Sequence, residues 1–359
     1  MEPETFRLGR KGRGAQTNAT SRYEPHTREA VDDGWGSLDE ELPPLRTTVQ
    51  VDATRTIIAT NDSPDIGFDR SINPYRGCEH GCIYCYARPT HAYLGLSPGQ
   101  DFETRLFAKP NAAALLRAEL GRPGYRCQPM ALGTNTDPYQ PIEREMRITR
   151  QVLEVLAEAS HPLTIVTKSA LVLRDLDILA PLARKNMARV YVSVTTLDRE
   201  LARVMEPRAA TPPRRVETIR ALASAGVPVG VMVAPVIPGL TDHEIEGILE
   251  ACAKAGAEGA GYVLLRVPLE IKGLFEEWLR AHRPERAERV FALLRSCHEG
   301  KAYRAEWGKR QKGTGPFAEI IARRFKLAKG RFGLDRPALP LDTTQFRKPA
   351  ADPRQMSFL

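Results

Sequence analysis

Three cysteines fall within eight residues, Cys78-Glu79-His80-Gly81-Cys82-Ile83-Tyr84-Cys85. One loop thus supplies three thiolates and no fourth, whereas a closed tetrahedral metal site needs four ligands. A cubane 4Fe–4S cluster held by three thiolates keeps one iron open for a small ligand, and this is the chemistry the triplet favours. A zinc site is the competing reading, with His80, His91 or a distant cysteine as fourth ligand. Zinc knots, however, usually show two paired ligand motifs rather than one triplet. A disulfide framework fits worse, because cysteines this close cannot easily pair among themselves. Gly77 and Gly81 let the backbone wrap tightly around a compact group.

With this CxxxCxxC triplet, and with Tyr84 directly before its last cysteine, the chain resembles the radical S-adenosylmethionine (SAM) superfamily. The resemblance implies a 4Fe–4S cluster on Cys78, Cys82 and Cys85 whose open iron takes the amino and carboxylate groups of SAM. One electron then breaks the sulfonium C–S bond and releases a 5′-deoxyadenosyl radical. The cofactor carries that chemistry, while the protein positions it and excludes water. Tyr84 is implied to pack near the adenine, and a one-electron reductant of flavodoxin or ferredoxin type is implied as a partner.

The elements that must position such a site follow from patterning. Strand-like runs precede Cys78 and occupy 129–133, 163–167, 190–194, 229–233 and 262–266. They are apolar without clean alternation, as in strands covered on both faces. Between them, 151–159, 171–184, 213–225 and 243–255 carry apolar residues three and four apart. Six βα units in series predict an α/β fold: a parallel, partial (β/α)6 TIM-type barrel, open on one side where a bulky substrate could reach the cluster. Helices are expected over 268–300, with Leu274, Phe275, Trp278 and Leu279 on one face, and over 316–328. The domain reading is a flexible arm over 1–50, the barrel over 51–300, a basic helical extension over 301–340 and a flexible tail over 341–359. Arg22-Tyr23 and Trp35 are candidate anchors for the arm.

In a βα barrel the chemistry sits at the carboxyl ends of the strands. After the second strand comes Gly133-Thr134-Asn135-Thr136-Asp137, a polar loop suited to a zwitterion; after the third, Lys168-Ser169; around the end of the fourth, Ser193 and Thr195. Lys168 can hold a carboxylate as a point charge. Ser193 and Thr195 can hydrogen-bond ribose or carboxylate, and Asp137 or Glu143 can serve an ammonium or a ribose hydroxyl. Each hydroxyl alone more often caps or turns the chain.

The runs from Gly133 to Glu143, Ile165-Val166-Thr167-Lys168-Ser169, Val192 to Asp198 and Met205-Glu206-Pro207-Arg208 are similar to the spore photoproduct lyase-like branch of the superfamily. The leader from Asn61 to Cys82 resembles a bacterial subgroup of that branch whose reaction is not established. The resemblance spans roughly residues 55–330 and supports Thr136, Lys168 and Ser193 as cofactor contacts, with Thr134, Asn135 and Thr195 beside them. One departure limits it. The lyase uses a cysteine after its second strand as hydrogen donor; that place falls near Asn135, where no cysteine stands. Cys127 precedes the strand, at the other end of the barrel, and Tyr139 is a conceivable donor for which a core or turn role is the commoner reading. Thymine-dimer repair is therefore not implied, and no catalytic side chain is assigned.

Of the 359 residues 42% are hydrophobic, enough for a globular core. No apolar run approaches the ~20 residues of a membrane span, and no secretory signal is visible. Six cysteines with a reduced-thiol motif point to the cytoplasm. The formal net charge is +8, and the stretch Lys301–Arg331, with ten basic and two acidic residues, matches that whole excess. Such a cluster attracts phosphate backbones or forms a solvated basic face. Gln355-Met356-Ser357-Phe358-Leu359 is similar to peptides that dock on the bacterial DNA-polymerase sliding clamp. The expected function is a radical SAM enzyme acting on DNA or RNA, in repair or base modification. A radical SAM enzyme with a peptide or small-molecule substrate, and a non-enzymatic iron–sulfur or zinc nucleic-acid binder, are the alternatives.

Overall fold

The computed structural model describes residues 12–24 and 45–349. Among the described residues there are ten strands: β1 (Thr48–Val51), β2 (Ile58–Thr60), β3 (Arg70–Ile72), β4 (Tyr75–Arg76), β5 (Arg105–Ala108), β6 (Met130–Leu132), β7 (Leu163–Thr167), β8 (Ala188–Ser193), β9 (Val229–Val236) and β10 (Gly259–Leu264). The main sheet runs β10-β9-β8-β7-β6-β3-β2. Its six strands from β3 to β10 are parallel neighbours, and β2 pairs antiparallel at the edge. This is the partial barrel expected from six βα units, with helices such as Ile148–Glu158, Leu176–Arg184, Pro212–Ser224 and Ile245–Lys254 as crossovers. Ile72, Leu132, Ile165, Val190, Val192, Val231 and Leu264 are fully buried between sheet and helices.

The barrel does not close. Instead, loops span the gap between β2 and β10. Asp65, in the β2–β3 hairpin, accepts the Gly308 N–H at 2.6 Å and pairs with Arg310. The Gln311 carbonyl accepts the Leu264 N–H at 2.7 Å at the end of β10.

A second sheet, β1-β5-β4, was not legible in the sequence. β4 pairs antiparallel with β5, and the whole cysteine segment is the excursion between these two strands. The strand expected just before Cys78 is thus two strands: β3 in the barrel, then β4 in the small sheet. The C-terminal helices follow expectation. Ile271–His282 buries Leu274, Phe275, Trp278 and Leu279, and Pro284–Ser296 and Pro316–Arg331 come after it.

The described parts of the arm and the tail lie against the barrel, the arm through the expected Arg22-Tyr23 anchor. Over 12–24, Arg13, Ala15, Gln16 and Ser21 are buried, and Arg22 pairs with Glu270 at 2.6 Å and lies over the Tyr23 and Tyr93 rings. Over 341–349, the Asp342 N–H reaches the Asn186 carbonyl, the Arg347 N–H reaches that of Ala159, and Phe346 packs on Tyr125 and His161. Backbone hydrogen bonds, a few polar side chains and isolated apolar anchors such as Ala15 and Phe346 supply this docking, so no apolar period announces it. Trp35 and Gln355–Leu359 lie outside the described residues.

Candidate active site

The cysteine loop is shaped by its own backbone. The Cys78 N–H donates to the Phe102 carbonyl at 2.9 Å, and the Cys85 N–H donates to that of Cys82 at 3.1 Å. Gly77 and Gly81 have φ of +75° and +67°, and a Cβ on Gly77 would come within 2.9 Å of the Phe102 carbonyl oxygen. Neither position accepts a side chain without strain. Gln140, in the loop after β6, clasps the same segment: its Oε1 accepts the Glu79 N–H at 2.9 Å and its Nε2 donates to the Gly77 carbonyl at 3.1 Å.

The strand ends converge on this loop. Lys168 Nζ lies 5.6 Å from the centroid of the Tyr84 ring and makes no ion pair among the described residues. The Tyr84 hydroxyl hydrogen-bonds Glu206 and lies 3.2 Å from Thr195 Oγ1, which itself donates to Glu206 at 2.9 Å. Arg215 pairs with the same carboxylate and donates to the Ser193 carbonyl at 3.2 Å. Tyr84, Lys168, Ser193 and Thr195, picked from sequence, are therefore brought together. Glu206 and Arg215, both buried, organise them; Glu206 stood in the Met205–Arg208 motif without a role assigned to it, and Arg215 carried no spacing signal.

Asn73 holds the loop after β6. Its Oδ1 accepts the Asn135 N–H at 3.0 Å and the Thr136 N–H at 3.4 Å, and its Nδ2 reaches Thr134 Oγ1 at 3.4 Å. The Thr136 hydroxyl is buried and donates to the Tyr75 carbonyl at 3.1 Å. Burial would push the Asp137 carboxyl up, but the His80 ring, the Lys168 N–H and the Thr167 hydroxyl outweigh it and hold the pKa at about 2. Glu143 lies elsewhere, bonded to Tyr75, Thr149 and Arg174 in the core. Tyr139 is likewise a core residue, its hydroxyl 3.1 Å from Asp175.

The donor set suits an iron–sulfur cluster better than zinc. Cys78, Cys82 and Cys85 are free thiols, and burial pushes those of Cys78 and Cys82 up, so a cation must take the proton's place for thiolates to form. His80 instead faces Asp137 at 3.3 Å, and His91 is bonded to the Arg105 carbonyl at 3.0 Å and held by burial near a pKa of about 4. Among the described residues no three His, Cys, Asp or Glu side chains converge on a single-ion site.

A family model of the radical SAM superfamily matches residues 72–252, which hold the cysteine loop and the strands β4 to β9. The chain belongs to the radical SAM superfamily. As a radical SAM protein it is an enzyme whose family implies a 4Fe–4S cluster, SAM and a reductant. The non-enzymatic alternative is thereby set aside. An uncharacterized protein of Mycobacterium tuberculosis is 43% identical over 64% of this chain and 68% of its own length. An uncharacterized protein of Methanocaldococcus jannaschii is 27% identical over 48% of this chain and 62% of its own. Among solved structures, a spore photoproduct lyase mutant with bound AdoMet and dinucleoside spore photoproduct superposes with a TM-score of 0.55. It covers 79% of this chain and 78% of that one at 16% identity, a likeness of fold. No helix among the described residues is long and apolar enough to cross a membrane.

Proposed function

We propose that this radical SAM enzyme acts on nucleic acid that reaches the cluster through the open side of the barrel. Arg266 carries the reading. It follows β10, its guanidinium lies 4.5 Å from the centroid of the exposed Tyr86 ring, and it makes no ion pair among the described residues. A guanidinium with no salt bridge among the described residues, over the ring that follows Cys85 in sequence and with Asp65 near enough to feel its charge but not to pair with it, is suited to a phosphate. Trp307, 54% exposed beside Gly308 on the loop that spans the gap, offers a face for a base. A base must leave its stack to meet a radical, and an open-sided barrel accommodates that.

The basic stretch supports the reading less than its charge suggests. Arg304 pairs with Glu299, Lys309 with Glu306, Arg310 with Asp65 and Arg324 with Glu246, leaving Lys301, Lys312, Arg323, Lys326, Lys329 and Arg331 without a salt bridge among the described residues, of which Lys312 and Arg331 lie over the Tyr262 and Phe332 rings. The fold likeness to a lyase that binds a dinucleoside lesion agrees with the reading. Its own repair reaction is not proposed, because residues 133–137 include no cysteine.

When bound, the cluster on Cys78, Cys82 and Cys85 supplies the electron that cleaves SAM. Lys168 would hold the SAM carboxylate, Ser193 would reach the ribose with Thr195 tied to Glu206 behind it, and Tyr84 would wall the adenine. The Thr134-Asn135-Thr136 loop, fixed by Asn73, presents polar groups to the amino end. Gln355–Leu359 is proposed as a sliding-clamp docking peptide that keeps the enzyme on DNA.

The test is anaerobic reconstitution, then 5′-deoxyadenosine formation with and without damaged DNA, alongside oligonucleotide binding over a salt series. Binding that weakens steeply with salt, and less steeply in Arg266→Ala, is expected. Undetectable binding to DNA and RNA would turn the reading to a peptide or small-molecule substrate.

A further inference from the structure

Arg88 lies three residues beyond the last cluster cysteine, is completely buried, and directs its whole guanidinium at the cysteine loop and its flank. Its Nε donates to the Cys82 carbonyl at 2.9 Å and its Nη2 to that of Gly81 at 3.0 Å. Its Nη1 donates to the carbonyls of Pro98 and Gly99 at 3.2 and 2.9 Å. Glu103, equally buried, balances the charge at 2.5 Å. The remaining capacity of Glu103 is taken by the N-terminal segment: its carboxylate accepts the Gly14 and Ala15 N–H groups, both at 2.9 Å. Arg13 donates to the Glu103 carbonyl at 2.9 Å, and Gln100 holds the carbonyls of Ala15 and Gln16 at 3.3 and 2.9 Å. Contact is so close that a Cβ on Gly14 would sit 1.9 Å from the Gly81 carbonyl oxygen.

We propose that Arg88 and Glu103 are positioning residues for the cluster, and that Arg13–Gln16 is a strap belonging to the cluster site. The argument is one of satisfied charges. A buried carboxylate is stable only while its hydrogen-bond partners stay in place, and two of the donors to Glu103 are strap amides. Lifting the strap leaves Glu103 under-bonded, which loosens Arg88, and Arg88 is what fixes the carbonyls of Gly81 and Cys82. Apart from Ala15 the strap buries polar residues, so its docking serves this network rather than an apolar core. Cluster retention is thereby coupled to a segment far from the cysteines in sequence.

The test uses the full-length, anaerobically reconstituted protein carrying Gly14→Val, which drives a side chain into the Gly81 carbonyl, or Gln100→Ala, which frees the strap more gently. Three quantities are read: the rate of iron release to a ferrous chelator, the electron paramagnetic resonance line shape of the reduced cluster, and the melting temperature of the metal-free chain. Iron release about tenfold faster in Gly14→Val and severalfold faster in Gln100→Ala is expected, with an altered line shape, both out of proportion to any fall in melting temperature. Release within twofold of the unaltered protein and an unchanged line shape overturn the proposal. So does faster release that merely tracks a fall in melting temperature. If Gly14→Val does not fold, Gln100→Ala decides by the same criteria.

Discussion

The Asp137 carboxylate accepts the Lys168 backbone N–H at 2.7 Å, so the loop after β6 fixes where the lysine after β7 begins. The same carboxylate takes the Thr167 hydroxyl at 2.7 Å and the Tyr139 N–H at 2.9 Å and faces His80 of the cysteine loop at 3.3 Å. One acid thereby sets the cysteines and the candidate SAM lysine in register. Asp137→Asn keeps the size but loses the charge and half the acceptors. SAM affinity of the reconstituted protein should fall about tenfold, measured by equilibrium dialysis, in line with a hydrogen bond to a charged group worth ~1.5–3 kcal/mol. Unchanged affinity would separate Lys168 from SAM binding.

Lys168→Ala should lower 5′-deoxyadenosine formation by more than about tenfold while leaving iron content intact, because it removes a charge and no cluster ligand. Quantifying both products and iron in one preparation checks it.

Serine at Cys78, Cys82 or Cys85 should abolish the brown cluster chromophore. Serine at Cys127, Cys252 or Cys297 should not. Burial pushes the Cys252 thiol up to about 12, the mark of an inert packing cysteine. Iron and sulfide analysis after reconstitution distinguishes the two sets.

Glu206→Gln strands the Arg215 guanidinium, which is buried and holds the Ser193 carbonyl. Breaking such a pair costs about 3–5 kcal/mol. Tyr84→Phe removes one hydroxyl from the same network and should cost only about 1 kcal/mol. Urea unfolding of the metal-free variants should preserve that order.

His161 provides a pH signature far from the cluster. Burial, with the nearby Arg70 charge, lowers its pKa from 6.5 to about 4, and its Nε2 lies 2.7 Å from the Tyr125 hydroxyl. The folded protein disfavours the protonated ring. Stability is therefore full above pH 6.5 and lost as the pH falls towards 4, by up to about 3 kcal/mol. His161→Phe should flatten that part of the stability–pH curve.

The barrel was legible because its strands are apolar runs separated by amphipathic helices, each signal local in sequence. β7 was located to the residue, and β6, β8, β9 and β10 to within a few. β1 is a fully exposed strand of four residues and β4 has only two, so neither carries a period. At the site, Tyr84, Lys168, Ser193 and Thr195 were readable because strand ends carry the chemistry in this architecture. Arg88, Glu103 and Arg215 were not, and Glu206 was seen only as part of a motif, since their roles come from contacts with other segments such as Gly14, Tyr84 and Ser193. Glu143 was read wrongly for the same reason: its neighbours Tyr75 and Arg174 draw it into the core.

No hydrogen-bonded ladder joins the two outer strands of the main sheet; they meet through Asp65, Gly308, Arg310 and Gln311. Widening that seam breaks the part-buried Asp65–Arg310 pair and a few loop hydrogen bonds but leaves every strand pairing whole. The aperture can therefore yield to an oversized guest while the cysteines and strand ends hold their spacing.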